Sequence, residues 1–274
     1  MKLAFSTLGC PKWDLETIIS KAKEYGYDGV DFRGYLDELN ITLLPEFSSR
    51  CSETKKRLQD VGLEVPCFSS SVRMFSADSD VQKKYDLEII RYVKTCALFG
   101  TPYVRIFGGK LGEVSRERAI EVSIDNLKKM AAIGADYNVR VLLETHDDWL
   151  DCTILKILME QVDSQYIGIL WDIHNPFILA REEPQITWDT IGRWIRNTHW
   201  KDSKITKNSK LGFEVCLMGD GDVPLKETFD ILEKGNYDGY FTFEWEKRWY
   251  PEIYSPEIAF PQFSEFMRGL PCKK

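Results

Sequence analysis

"YVRIFGGKLGEVSRERAIEVSIDNLKKMAAIGADYNVRVLLETH", residues 103–146, is the stretch on which the fold turns. It opens on a short β-rich run, passes a glycine-bearing loop into a helical run from Arg116 to Asn138, and closes on a second β-rich run, VRVLLETH. The middle run spaces its apolar residues three and four apart, which puts them on one helix face. It stops at Asn138, a residue type that often ends helices. Strand, helix and strand together fill the thirty-odd residues of a βα unit.

The same rhythm extends in both directions. Strand candidates are LAFSTL from Leu3, GVDFRG from Gly29, EVPCFSSS from Glu64, YVRIFGG from Tyr103, VRVLLETH from Val139, IGILWDIH from Ile167, NTHWKD from Asn197 and GYFTFEWE from Gly239, eight in all. Between them lie helical patterns such as DLETIISKAKEYG, SRCSETKKRLQDVG and VQKKYDLEIIRYVKTCALFG. Eight βα units without a linker or low-complexity break predict one α/β domain over residues 1–274, a closed (β/α)8 TIM barrel. The alternative is a doubly wound open sheet, but FGGKLGEV has the wrong spacing for its G-x-G-x-x-G turn. Residues 203–224 break the rhythm and read as a long loop or hairpin on the active-site face.

Composition narrows the function classes. A hydrophobic fraction of 43% and a charged fraction of 29% fit a packed globular chain. The net charge of -7 would repel a phosphate backbone, so no nucleic-acid partner is expected. The start, MKLAFSTLGCPKWDLE, lacks the layout of a signal peptide, and no run approaches the roughly 18 apolar residues of a membrane span. A cytoplasmic protein with no membrane partner is the expectation. The seven cysteines, at 10, 51, 67, 96, 152, 216 and 272, are odd in number and form no C-x-x-C pair. That argues against a disulfide framework or a cysteine-rich zinc site.

Chemistry concentrates at four strand ends. Side chains two apart share a face of a strand, which pairs Glu144 with His146, Asp172 with His174, His199 with Lys201, and Glu244 with Glu246. The residues between them, Thr145, Ile173, Trp200 and Trp245, belong to the opposite and largely apolar face. Trp171, Trp200 and Trp245 are therefore expected in the core and not as sugar-stacking platforms. All three histidines of the chain fall within these strand ends. Two glutamates, an aspartate and a histidine suit Mn²⁺ first, with Mg²⁺ or Co²⁺ as alternatives and Zn²⁺ less favoured. The expected ligands are Glu144, Asp172, His199 and Glu244; a salt-bridge network in the barrel mouth is the competing reading.

In this order, LLETHDDW, ILWDIHNP, THWKD and FEWEKRW, with LAFSTLG at the start, resemble the xylose isomerase-like TIM barrels across essentially the whole chain. That family of sugar phosphate isomerases and epimerases includes ketose 3-epimerases and inosose dehydratases. The resemblance implies the same metal ligands, Glu144, Asp172, His199 and Glu244, and makes Glu144 and Glu244 the acid/base pair. His146 is a rival base, because an unligated imidazole titrates near neutral pH whereas a cation weakens a bound carboxylate as a base. His174 stands two residues after Asp172, where the epimerases have D-x-x-H, and is a candidate substrate contact. Lys201 belongs to the family's H-x-K-D pattern and is read as stabilising an oxyanion or binding a hydroxyl, or else as an ion pair with Asp202 or Glu246. Glu246 is expected to orient Lys201 or substrate. Arg105, Arg33 and Arg248 are candidates for substrate oxygens or structural ion pairs.

The expected activity is that of a metal-dependent sugar isomerase or epimerase. It abstracts a proton beside a metal-bound carbonyl of a sugar or cyclitol and passes through an enediolate. Elimination of a β-substituent from a keto-sugar, inosose or 3-keto-glycoside, by a dehydratase or lyase, is the alternative. An AP endonuclease-like phosphodiesterase would need more histidines, and an intact ligand set argues against a non-catalytic sugar-binding protein. Assembly into a homo-oligomer is left open.

Overall fold

Each barrel strand is short and each is followed by the segment that returns the chain to the start of the next. In the computed structural model, which describes residues 1–271, these strands are β1 (Lys2–Ser6), β2 (Gly29–Asp31), β3 (Cys67–Arg73), β4 (Tyr103–Phe107), β5 (Arg140–Glu144), β6 (Ile167–Asp172) and β7 (Ile195–Trp200). An antiparallel ribbon, β8 (Asp202–Ile205) with β9 (Phe213–Cys216), precedes the last barrel strand, β10 (Tyr240–Phe243). The eight-stranded sheet runs β2-β1-β10-β7-β6-β5-β4-β3, and its named neighbours pair in parallel. Parallel bridges Gly29–Glu64 and Phe32–Phe68 join β2 to the β3 side and close the barrel.

Around it lie α1 (Leu15–Glu24), α2 (Cys51–Gln59), α3 (Ser79–Phe99), α4 (Arg116–Tyr137), α5 (Cys152–Val162), α6 (His174–Ala180), α7 (Pro184–Ile191), α8 (Leu225–Lys234) and α9 (Pro256–Arg268). Local chemistry sets their ends. Asp14, Asp78, Ser115 and Asp151 accept backbone N–H groups at helix starts. Asn138 ends α4 at φ 54°, a left-handed conformation that asparagine tolerates better than most side chains.

The core has two parts. Outward strand residues such as Phe5, Phe32, Val104, Val141, Leu143, Ile169 and Trp200 pack beneath the helices. Inside the barrel, Cys67, Leu142 and Leu170 form a separate apolar plug. Two residues further along β3, β5 and β6 come Ser69, Glu144 and Asp172, so the alternation that buries the plug also raises a polar layer above it. The six cysteines among the described residues are free thiols, and Cys272 lies outside the described residues. Among the described residues no helix is long and apolar enough to cross a membrane.

Strands read through His146, His174 and Glu246 run too long. β6 stops at Asp172 because its carboxylate accepts the N–H groups of His174 at 2.9 Å and Asn175 at 3.0 Å, which starts α6. Beyond Glu144 the chain leaves the sheet, and Asp147 sits at φ 55°. Strand alternation therefore does not position His146 or His174.

Candidate metal centre

Four consecutive barrel strands deliver four ligand-type side chains to one point. Glu144 ends β5, Asp172 ends β6, His199 is the penultimate residue of β7, and Glu244 directly follows β10. Asp172 is in register with His199, and the Glu244 N–H extends the ladder to the Trp200 carbonyl at 2.9 Å. The ligand atoms of the quartet lie within 4.8 Å of one another, and all four residues are buried. A cavity of about 340 Å³ at the opposite end, lined by Lys2, Glu64, Tyr103 and Asp238, gathers no comparable set among the described residues.

The contacts are short. His199 Nδ1 stands 3.0 Å from Glu144 Oε1 and 3.1 Å from Glu244 Oε1. Arg105 Nε lies 3.2 Å from Glu144 Oε2. Lys201 Nζ lies 2.8 Å from Asp172 Oδ2, 2.7 Å from Glu244 Oε2 and 3.0 Å from Glu246 Oε1. The lysine pairs with these three acids and not with Asp202. That carboxylate instead accepts the N–H groups of Ser203, Gly219, Gly221 and Val223 at 2.8–3.2 Å and ties down the end of the 203–224 segment.

Burial opposes every charge in this cluster, and the neighbours decide the outcome. It works to raise the Glu144 carboxyl, but Arg105 holds it below its usual value. It works likewise on Glu244, where Lys201 and then His199 prevail and keep it well below. At Asp172 burial outweighs Lys201 and pushes the carboxyl up to about 6. Lys201 is held well above its usual value despite burial, chiefly by Asp172, and His199 chiefly by Glu244. His174 is driven down to about 3 by burial and then by Lys201. It is a neutral imidazole, with Nε2 2.8 Å from Ser203 Oγ and Nδ1 3.1 Å from Asn175 Oδ1.

The quartet fits a divalent cation on its own geometry. Glu144 Oε2 and Asp172 Oδ2 are buried and take part in no directed hydrogen bond, although Arg105 and Lys201 stand beside them. Each keeps lone pairs unused. The three carboxylates are hard donors of the kind that hold Mn²⁺ or Mg²⁺, and the single imidazole is a borderline donor that transition ions such as Mn²⁺ and Co²⁺ accept.

The other expected residues sit at different distances from this centre. His146 stands at the rim, its ring 4.6 Å from that of Phe107 and its Nδ1 3.1 Å from Asp147 Oδ1. Burial lowers its pKa, but the contact with Asp147 and the nearby charge of Glu144 together more than offset this and raise it. Glu246 holds Lys201 from the outer side. Arg248 donates to the Leu36 carbonyl at 2.9 Å, away from the carboxylates. Arg33 is buried with its guanidinium 5.7 Å from the Phe107 ring centre. Trp171, Trp200 and Trp245 are 0–1% exposed and belong to the core.

One residue of the site escaped the reading of the sequence. Asp31, the last residue of β2, is fully buried, with Oδ2 3.3 Å from His199 Nε2 and 2.9 Å from Ser69 Oγ. Alternation along GVDFRG would have placed Asp31 and Arg33 on one face at a strand end, but a histidine or a second acid marks only the four later strand ends.

Residues 19–268 match the family described as Xylose isomerase-like TIM barrel. The chain belongs to that family. This xylose isomerase-like barrel is 27% identical to the inosose dehydratase of Clostridium tetani over 135 residues, 44% of this chain and 45% of the relative. The chain spans about half the length of the curated relatives it matches. In shape it resembles the IolI protein with bound zinc, at a TM-score of 0.82 and 17% identity over 98% of both chains. It also resembles 3-keto-D-glucoside 4-epimerase YcjR of E. coli, at 0.78 and 16% over 98% of this chain and 99% of that one. Identities this low establish a shared fold. The chain thus resembles a dehydratase in sequence and an epimerase in shape.

Proposed function

We propose that this protein is a divalent-metal-dependent isomerase or epimerase of a sugar or cyclitol, with Mn²⁺ as the expected ion. The observation that carries the reading is the buried quartet of Glu144, Asp172, His199 and Glu244, in which two carboxylates approach the same imidazole nitrogen. When bound, the ion supplies a Lewis acid that polarises a substrate carbonyl and acidifies the adjacent C–H. Glu144 or His146 takes the proton, and Glu244 returns one from the other side. Lys201 stabilises negative charge at the substrate oxygen, with Glu246 and Asp172 fixing its ammonium. His174, neutral and held by Ser203 and Asn175, is a candidate hydroxyl contact.

Elimination is the second reading. It is favoured by the likeness to the inosose dehydratase and by the place of His146 at the rim beside Asp147, where it can protonate a departing hydroxyl. Both readings share removal of a proton next to a carbonyl. Incubation in D₂O with a panel of ketoses, inososes and 3-keto-glycosides is expected to put deuterium into at least one of them. The position of the label and any loss of water then assign the branch. No incorporation into any member of the panel would overturn both readings.

A further inference from the structure

Arg33 lies two residues past Asp31 and shares its inward face, because Phe32 between them turns outward onto Phe47 and Phe68. Its backbone is pinned: the Arg33 N–H donates to Thr7 Oγ1 at 2.9 Å, and the Thr7 hydroxyl donates to the Gly34 carbonyl at 2.6 Å. Arg33 is only 6% exposed, and its Nη1 is fully buried without an acceptor. Among the described residues it forms no ion pair.

Its surroundings make that isolation costly. Arg33 and Arg105 both approach the half-buried ring of Phe107, at 5.7 and 3.8 Å from the ring centre. Arg105 has Glu144 beside it and donates to the Ser70 carbonyl at 2.9 Å. Arg33 has neither kind of partner. Burial, and then the like charge of Arg105, weaken its hold on its proton and bring its pKa down to about 10. A buried cation without a counter-ion or acceptor is strongly unfavourable unless something else in the working protein supplies one.

We infer that Arg33 receives a carboxylate of the substrate, so that the substrate class is a polyhydroxylated acid and not a neutral sugar. A guanidinium fork matches the two oxygens of a carboxylate, and one uncommitted cation balances one negative charge where a phosphate dianion would require more. The Phe107 ring that both guanidiniums approach also lies 4.6 Å from the His146 ring, and Arg105 beside it reaches Glu144 of the metal quartet. This inference rests on the reading of that mouth as a sugar or cyclitol site.

Calorimetric titration of the whole protein with excess Mn²⁺, against quinate and quinamide and against glucuronate and glucuronamide, tests it. In at least one pair the acid is expected to bind about tenfold or more tightly than its amide. Arg33→Met should bring that acid to the level of the amide while the amide changes little, and Arg33→Lys should keep part of the preference. Arg33→Met should also raise the melting temperature of the ligand-free protein by about 2–4 °C, since it removes an unpaired buried charge. A lowered melting temperature would instead reveal a structural partner, such as Glu88 of α3, and overturn the inference. So would an acid preference that survives Arg33→Met, or glucose 6-phosphate binding more tightly than glucuronate in an Arg33-dependent way. Amides that bind as well as their acids overturn this inference alone, whereas no binding by either member of either pair overturns the sugar-site reading with it.

Discussion

Asp31 and His199 meet across the inside of the barrel, Oδ2 to Nε2 at 3.3 Å, on the far side of the imidazole from Glu144 and Glu244. A carboxylate there keeps the proton on Nε2 and leaves Nδ1 free to ligate, as outer partners of metal-bound histidines do. The Ser69 hydroxyl, donating to the same Asp31 oxygen at 2.9 Å, fixes the acid in turn. The metal side of His199 is thus set by β2 and β3, two strands that contribute none of the four ligands.

Asp31→Asn should therefore weaken divalent-metal binding by about 10–100-fold with little change in fold. Competition with a fluorescent chelator measures the affinity, and the ¹⁵N shifts of the His199 ring report the tautomer. An unchanged affinity and an unchanged ring spectrum in the variant would sink this role for Asp31.

Metal binding should stabilise the protein strongly, because the site exists only in the folded chain. At a thousandfold excess over Kd the gain is about 4 kcal/mol, which corresponds to roughly 10 °C in melting temperature for a chain of this size. Addition of EDTA should reverse the shift, and Glu244→Gln and Asp172→Asn should each abolish most of it. Scanning calorimetry with and without Mn²⁺ provides the comparison; no shift in the wild type would remove the quartet as a metal site.

Much of this site could be read from the sequence because two simple periods coincide in it. Alternation of two puts Glu144, Asp172, His199 and Glu244 inward while Leu143, Trp171, Trp200 and Trp245 turn to the helices, and eight βα repeats bring the strand ends together. What could not be read lay where the periods stop. His146 and His174 follow the last strand residues, so their directions depend on Asp147 and on the start of α6. The choice of Asp172, Glu244 and Glu246 over Asp202 as partners of Lys201 is tertiary, set by the backbone groups that claim Asp202. Asp31 stayed hidden because its importance is a relation to a residue 168 positions away.

Trp245 lies between Glu244 and Glu246 yet is fully buried, stacks on Phe243 with ring centres 5.5 Å apart, and donates its indole N–H to the Tyr254 carbonyl at 2.9 Å. Trp245→Phe should cost about 1–3 kcal/mol in urea unfolding through lost packing and the lost bond. Metal affinity should stay within about threefold, well inside one tenfold step in free energy. A sugar-stacking role would show the reverse, with stability kept and ligand binding lost.

The Cys216 thiol should be quiet at neutral pH. Cys216, on the half-buried β9, has its pKa pushed up to about 12 by burial and then by Asp202. Only the thiolate reacts, so its alkylation rate in the folded protein should rise about tenfold per pH unit between pH 7 and 10, for as long as the pH stays below the pKa. Mass spectrometry after timed iodoacetamide treatment follows this one site. A rate that levels off near pH 8 would mean that the thiol is far more exposed than its position shows.

Lys201 is the cation on which the unloaded site depends. Its buried ammonium touches Asp172, Glu244 and Glu246, and Lys201→Met would leave three carboxylates facing one another without it. Removing one partner of a buried ion cluster costs about 3–5 kcal/mol, so the variant should be strongly destabilised in the presence of a chelator. A divalent ion held by Asp172 and Glu244 replaces much of the missing positive charge, and saturating Mn²⁺ should recover a large part of the loss. Glu246→Gln should be milder, because that carboxylate is the most exposed of the three, at 17%. Chemical denaturation of the wild type and of each variant, with EDTA and with Mn²⁺, gives the six free energies needed. If Lys201→Met loses the same stability with and without the metal, the lysine and the ion do not act on the same carboxylates.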